Sequence, residues 1–412
     1  MPGALNIIQS IPPLQLSGTD TWIEIYSDLP LDTVNQRFVI EISFPDNADM
    51  PNLIMYADPI EPRSPVEGDS YAAVNISEAL TAALKANKNF YNDAPQNGYF
   101  VSGLIDERCV AYEVDIALYA NDPVAVDDNE SITGLKTLLG GDAIFNYSTS
   151  TYTWEGIWQA SGLLYKFQSW FEQTRKTYAT RSEFLTYRFP TTGSYATKII
   201  CYDEAGNATT FATAFSHGPQ TEDDVMLMCV TSAFLESYIG GWPADTVRYT
   251  VQMILVGTPS SAASEIITYE IEQEYTPFQR HFHFFNSVGG IDSFSAIGKT
   301  TQVAEITDVP VNRHRGIDDY AMQTGDRRSV MRKEQEVYKA ATGYMSRTKI
   351  DRLRDALISE YVMEEVTQFM FPIEIVPNTF KITDDNADNY SLEFEYRYLW
   401  KNKYYTPWSV FS

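Results

Sequence analysis

His281 and His283 stand two residues apart, the spacing that puts both imidazoles on one face of a strand, where they could hold a metal if a third ligand approached. Nothing in the sequence supplies that ligand. Phenylalanines at 282, 284 and 285 favour a structural, weakly polar role for the pair. Asp127-Asp128 and Asp384-Asp385 fall in turn-like polar segments, where Asp bends the chain by bonding its own backbone; calcium stays open as an alternative there, although neither has the spacing of an EF-hand loop. Cys109, Cys201 and Cys229 are too few and too scattered for a disulfide framework or a zinc site and read as reduced, buried thiols. The chain has no Gly-rich phosphate cradle of the GxxxxGK(S/T) type, no GxSxG elbow and no HExxH, and Gly289-Gly290 is most simply a turn that needs positive φ. With only His217, His281, His283 and His314, it is also poor in the commonest acid-base residue. The expectation is a protein that is not an enzyme, with no catalytic residue, no metal ligand and no cofactor.

The elements that would carry these residues are mostly strands. The chain holds 27 Tyr, 22 Phe and 7 Trp, which recur in short alternating runs with Val, Ile and Thr, a pattern that suits pleated sheet. At 412 residues it exceeds the roughly 250–300 at which a single core stops growing. The predicted fold is mainly β: tandem β-sandwich-like domains with short helices, and an α+β C-terminal domain. The boundaries read as 1–145 for the first sandwich, 146–193 for an aromatic connection, 194–280 for the second sandwich, and 281–412 for the C-terminal domain.

Within 1–145, Trp22 to Phe44 reads as a hairpin, and YAAVNISEALTAAL as a strand passing into a short helix capped by Ser77. A comparable order recurs. SYATKIICYDEAGNATTFATAF gives strand, turn at Glu204 to Asn207, strand, and VMLMCVTSAFLESYI answers the strand-to-helix element, so the two sandwiches look like a duplication. Between them, Trp154, Ile157, Trp158, Leu164, Phe167, Trp170 and Phe171 fall on helical spacing, which means a core-packed face or, more sharply, a partner-binding or membrane-touching one. His281 to Lys299 reads as strand, Gly-Gly turn, strand, and Thr300 to Arg332 as an extended polar arm. EVYKAATGYM and SRTKIDRLRDALISE supply the clearest helix start, capped by Ser346 with Ile350, Leu353 and Leu357 on one face. FPIEIVP and YSLEFEYRYLW close the chain as strands around an acidic turn.

The net charge is −25, and residues 1–160 carry 23 acidic groups against six basic ones, an excess of 17. Such a surface repels a phosphate backbone, which argues against a nucleic-acid partner. The stretch from Arg313 to Asp355 runs the other way, with Arg313, Arg315, Arg327, Arg328, Arg332 and Lys333. An acidic front and a basic rear can attract one another between copies, so these arginines, with Trp154, Trp158 and Trp170, are the interface candidates. The N-terminus lacks the positive flank and apolar run of a secretory signal, and no segment reaches the roughly 18 apolar residues of a membrane span. A soluble protein made in the cytoplasm is expected.

At NSVGGIDSF, Asn286 to Phe294, the chain resembles a group of virion and prophage proteins from phages of Bacteroidetes bacteria. Those proteins carry an Asn-Ser-(Leu or Val)-Gly-Gly-x-Asp-(Ser or Thr)-Phe hairpin ending in a Gly-Lys like Gly298-Lys299. The order of the NISEAL element, the FLTYRF strand, the hairpin and the ATGYMSRTKIDRLRDALISEYV segment is similar over most of residues 20–405. The resemblance implies a structural subunit of a phage tail, at the baseplate or distal tail. It would be made in the bacterial host, form a symmetric ring with itself and dock other virion tail proteins, with a host surface glycan reached only indirectly. It carries over no catalytic residue. A neck or collar position is the nearest alternative. A carbohydrate-binding cell-surface module is the alternative from another class, and a tail-associated glycan hydrolase fits the sequence least.

Overall fold

The computed structural model describes residues 5–399 except 8–10, 12–13, 32, 34, 48–49, 61–69, 87–101, 105–108, 121–125, 139, 141–163, 180, 258–259, 274–275, 277, 313–326, 360, 367–368, 378, 380 and 385–389. The chain is mainly β, 57% strand against 10% helix, arranged as several sheets of which two are curled half-barrels. It divides into two compact units: residues 1–95, 99–272 and 286–292 form the first, and 96–98, 273–285 and 293–412 the second.

In the first unit, β1 (Leu5–Ile7), β3 (Trp22–Ser27) and β6 (Ser70–Asn75) make a three-stranded sheet. β2 (Leu14–Leu16), β4 (Arg37–Ser43), β5 (Leu53–Ala57), β8 (Cys109–Tyr119) and β9 (Val126–Leu138) make a five-stranded one, in the order β2-β9-β8-β4-β5. The expected hairpin from Trp22 to Phe44 does not form, because β3 pairs with β1 and β6 while β4 pairs with β5 and β8. The break around Pro30 is long enough to carry the chain from one sheet to the other, and the alternation in each strand serves a shared core. Ile23, Ile25, Phe38, Ile40, Ile42, Val114, Ile116 and Leu118 are buried in one cluster with Ile76, Leu80 and Leu84 from α1 (Ser77–Ala86) and its approach. At ~25 cal/mol per Å2 of apolar surface, side chains of this kind contribute about 1.5–3 kcal/mol each. The cap of α1 also differs from expectation. Ser77 is already the first helical residue, and the Asn75 side-chain oxygen accepts its N–H at 3.0 Å and that of Thr21 at 3.2 Å.

Further along the first unit, β10 (Thr174–Tyr178), β12 (Gly193–Tyr202), β13 (Ala208–Gln220), β15 (Arg248–Leu255), β16 (Ser261–Ala262) and β17 (Ile267–Glu272) form a six-stranded sheet. The β12–β13 hairpin turns at 203–207 as its sequence predicts, with Gly206 at φ +84°. β14 (Val225–Cys229) lies between β11 (Phe184–Arg188) and β7 (Ser102–Leu104), a strand from more than a hundred residues before β14, and pairs with both. The helix after β14, α2 (Ser232–Tyr238), lies where the repeat with α1 predicts it and stacks Phe234 and Tyr238 on Phe215 of β13.

Also on β13, His217 meets Thr197 Oγ1 at 2.7 Å, and burial pushes its imidazole down from the usual 6.5 to about 4. The unfolded chain therefore takes up this proton at a higher pH than the folded one, so stability falls as pH drops from 6.5 towards about 4. The loss is of the order of 3 kcal/mol. A His217→Gln chain is expected to lack that acid-side decline, which urea midpoints taken across the interval would check. An unchanged pH profile would contradict the burial of this ring.

In the second unit the sheet order is β19-β18-β22-β23-β25-β21-β20, with β24 (Lys381–Asp384) beside β25. The strands are β18 (Arg280–Phe285), β19 (Ile291–Ala296), β20 (Thr301–Asn312), β21 (Arg327–Ala341), β22 (Val362–Val366), β23 (Phe369–Ile375) and β25 (Tyr390–Tyr398). β25 keeps its predicted alternation, with Leu392, Phe394 and Tyr396 buried, Phe394 and Tyr396 packing on Phe282 and Phe394 also on Phe294. α3 (Arg347–Ile358) starts as expected, Ser346 accepting from Lys349 N, and buries Ile350, Leu353 and Ala356, while Leu357 is only partly covered. EVYKAA before it is the end of β21, not helix.

Candidate functional site: a polar turn, a histidine ladder and a two-stranded arm

The Gly-Gly turn is the most densely bonded polar region of the first unit that sequence reasoning pointed to. Asn286 uses its whole amide. Its Nδ2 donates to Gln168 O at 2.9 Å and to Asp292 Oδ2 at 2.7 Å, and its Oδ1 accepts from Val288 N at 3.1 Å and Gly290 N at 2.8 Å. An amide has both donors and both lone pairs to give, so a single side chain closes the loop and ties it down. The two glycines do different work. Gly289 has φ +81°, the left-handed conformation that costs a side-chain-bearing residue about 1–2 kcal/mol. Gly290 has no positive φ, but a Cβ there would lie 1.9 Å from Gln168 O, so it is needed for space.

Asp292, 1% exposed, takes a hydrogen bond from Ser169 Oγ and lies 3.7 Å from Arg175 Nη1. Arg175 in turn donates to Ser169 Oγ at 2.9 Å and to Glu172 O at 2.9 Å. Burial raises the Asp292 carboxyl above the usual 3.8, outweighing the opposing pull of Arg175, Ser169 and Asn286. Trp170 is drawn into the same region: Nε1 donates to Ser287 Oγ at 2.8 Å, and the ring packs on the buried Leu16, Leu138, Val225 and Val288. Residues 164–171 contain no helix, so the helical face expected from the aromatic spacing is absent from its described part. Phe167 is buried there against Tyr187. Trp154 and Trp158 lie outside the described residues.

The histidine pair belongs to the second unit, and both rings are buried. His281 Nδ1 meets Ser295 Oγ at 2.9 Å and His283 Nδ1 meets Ser293 Oγ at 2.8 Å. His283 Nε2 lies 3.0 Å from Glu365 Oε2. The carboxylate accepts, so Nε2 carries the proton towards it and, in that tautomer, Nδ1 accepts from Ser293. The order Ser293, His283, Glu365 has the parts of a nucleophile, base and acid. Its exposures of 8%, 0% and 8% make it a core ladder in this conformation. No cluster of three or more metal-ligating side chains occurs among the described residues. Nearby, Glu364, 1% exposed, is held by Arg280 Nη1 at 2.6 Å, Tyr396 at 3.1 Å and Tyr398 at 2.6 Å.

The described residues of the polar stretch from Thr300 to Arg332, 301–312 and 327–332, lie on two paired strands. β20 and β21 pair antiparallel from Thr301↔Lys339 to Asn312↔Arg327, with a bulge at Val309/Pro310. β25 joins β21 only at Val337–Ala341. Beyond that, Ala304–Asn312 and Arg327–Glu336 pair with each other alone among the described residues, a two-stranded arm of about 30 Å at ~3.4 Å per residue. Arg327, Arg328 and Arg332 lie on it, Asp308 standing opposite Arg332. Arg313 and Arg315 lie outside the described residues.

Sequence reasoning missed Arg175, Ser169 and Asp292 as a network, and Ser293, Ser295 and Glu365 as partners of the histidines. The serines were findable: each Ser–His pair is equidistant from Val288, the centre of the turn, as an antiparallel hairpin requires. Among the described residues no helix is long and apolar enough to cross a membrane. The chain matches no protein-family model and no curated protein sequence.

Proposed function

We propose that this protein is a non-enzymatic structural subunit of a bacteriophage tail, at the baseplate or distal tail, which forms a ring with copies of itself and docks neighbouring virion proteins. The observation that carries the reading is the arm. Two strands run about 30 Å past their sheet; an isolated two-stranded ribbon is at best marginally stable in water, and it gains order by lying on another surface. The part of the arm farthest from the sheet is basic, with Arg327, Arg328, Arg332 and Lys333 against Asp308, while Glu305, Glu334 and Glu336 lie nearer the sheet; residues 1–160 carry an excess of 17 negative charges, a contrast that favours head-to-tail contacts between copies. Head-to-tail contacts close into rings when the rotation between copies allows. The resemblance at NSVGGIDSF adds the virion setting.

Light scattering of the purified chain with negative-stain images tests this. Closed rings or stacks are expected, loosening as salt rises from ~0.1 M to ~1 M and the screening length falls from about 10 Å to about 3 Å. A monomer at every concentration and salt would count against the ring. The second reading, a carbohydrate-binding module, draws on the exposed rings of Tyr56 (67%) and Tyr344 (65%), which suit stacking on sugars. Binding on a glycan array by such a monomer would favour it.

A further inference from the structure

We infer that the β21 segment Arg328–Lys333 of one copy adds as a strand to the open edge of β5, Leu53–Ala57, in the next copy; this rests on the assembly reading above. β5 ends its five-stranded sheet, and among the described residues only β4 pairs with it, in regular register from Phe38↔Ala57 to Ile42↔Leu53. Edge strands are normally protected by charge, proline, bulges or cover, because their free N–H and C=O groups template pairing with another chain. Leu53–Ala57 has neither charge nor proline, and no bulge interrupts its register. Leu53, Met55 and Ala57 face the core, while Ile54 (55%) and Tyr56 (67%) stand out from it, with Ile60 (55%) beyond. A bare apolar edge of this kind is a docking site or an aggregation hazard.

The occupant follows from what the chain offers. Between Arg327 and Glu336, β21 pairs only with β20 among the described residues, with Val330 bulged between the Val309↔Met331 and Pro310↔Ser329 pairs, and no described strand lies along its other edge. Its sequence there, Arg328-Ser329-Val330-Met331-Arg332-Lys333, is apolar at the centre and basic at the ends. β5 is its complement, an apolar centre flanked by exposed Asp46 and Asp58, with Glu41 on the neighbouring strand opposite Ile54. Pairing would satisfy two free backbone edges at once and cover Ile54 and Tyr56. The opposite charges would set the register, and the contact is heterologous, as a ring requires.

The test uses two full-length chains, Tyr56→Cys and Val330→Cys, each treated with a short bismaleimide alone and as an equal mixture. Tyr56 is exposed, so its replacement leaves the core intact. The native cysteines react poorly: Cys201 and Cys229 are buried, and burial pushes the Cys109 thiol up to about 12. A covalent dimer is expected in the mixture several-fold above either variant alone, falling to the wild-type level when Arg328→Glu and Arg332→Glu are added to the Val330→Cys chain. Rings by light scattering without that mixed dimer would overturn this docking and leave the tail-ring reading standing. A mixed dimer from closed pairs that never form rings would keep the docking and overturn the ring. A monomer with no mixed dimer overturns both.

Discussion

Gly290→Ala is expected to destabilise the protein by at least about 3 kcal/mol, the upper end of what an overpacked site costs. The new methyl would sit 1.9 Å from Gln168 O and 3.0 Å from its carbonyl carbon, and both are backbone atoms that cannot swing aside. Moving the turn away would break the bond from Asn286 Nδ2 to Gln168 O, so relaxation also carries a cost. Gly206→Ala is the control. It has φ +84° but nothing within 4 Å of the added carbon, so it should lose only the ~1–2 kcal/mol of a left-handed non-glycine residue. Chemical unfolding of both variants decides the matter. A Gly290→Ala chain as stable as the Gly206→Ala chain would mean that the turn does not rest on the Gln168 backbone.

Asp292→Ala is expected to cost about 3–5 kcal/mol, because it leaves the Arg175 guanidinium, 9% exposed, without its carboxylate. Asp292→Asn should cost less, since the amide can still accept from Ser169. The pH dependence separates the two contributions. Burial holds the folded carboxyl above its usual 3.8, so the folded state keeps this proton to a higher pH than the unfolded state does. The linked stability is therefore full below 3.8 and declines as pH rises through the raised value. Over that interval the wild-type chain should lose stability relative to Asp292→Asn as pH climbs. The opposite slope would show that the pull of Arg175 exceeds the burial penalty.

The strands were legible wherever one face meets a core, as in YSLEFEYRY, because a period of two is a local property of the chain. The same holds for the cap at Ser346 and the turn at Gly206. Pairing was not legible. Nothing local tells β3 and β4 apart from a hairpin, and the Trp22–Phe44 segment was misjudged because each strand needed a partner far along the sequence. The site shows the same division. Gly289-Gly290 announced a turn, but the space needed at Gly290 depends on Gln168, more than a hundred residues away. The aromatic spacing at 164–171 imitated a helix because Phe167 is buried, and Trp170 half-buried, for tertiary reasons. The edge strand Leu53–Ala57 was not legible, since the proline and acidic residues between Pro45 and Asp69 read as a long exposed connection.

The assignment of residues 286–292 to the first unit has a consequence for how the protein is made. A ribosome adding ~5–20 residues per second releases domains in order, and each normally folds once its last residue is out. Here Val288, which is buried with Leu16, Leu138 and Val225, and Asp292, which partners Arg175, come after residues 273–285 of the other unit. The first unit therefore waits for part of the second to be synthesised before it can close. A nascent chain stalled at Glu272 holds Arg175 without its counter-charge and a gap where Val288 belongs, and chaperones would meet it in that state.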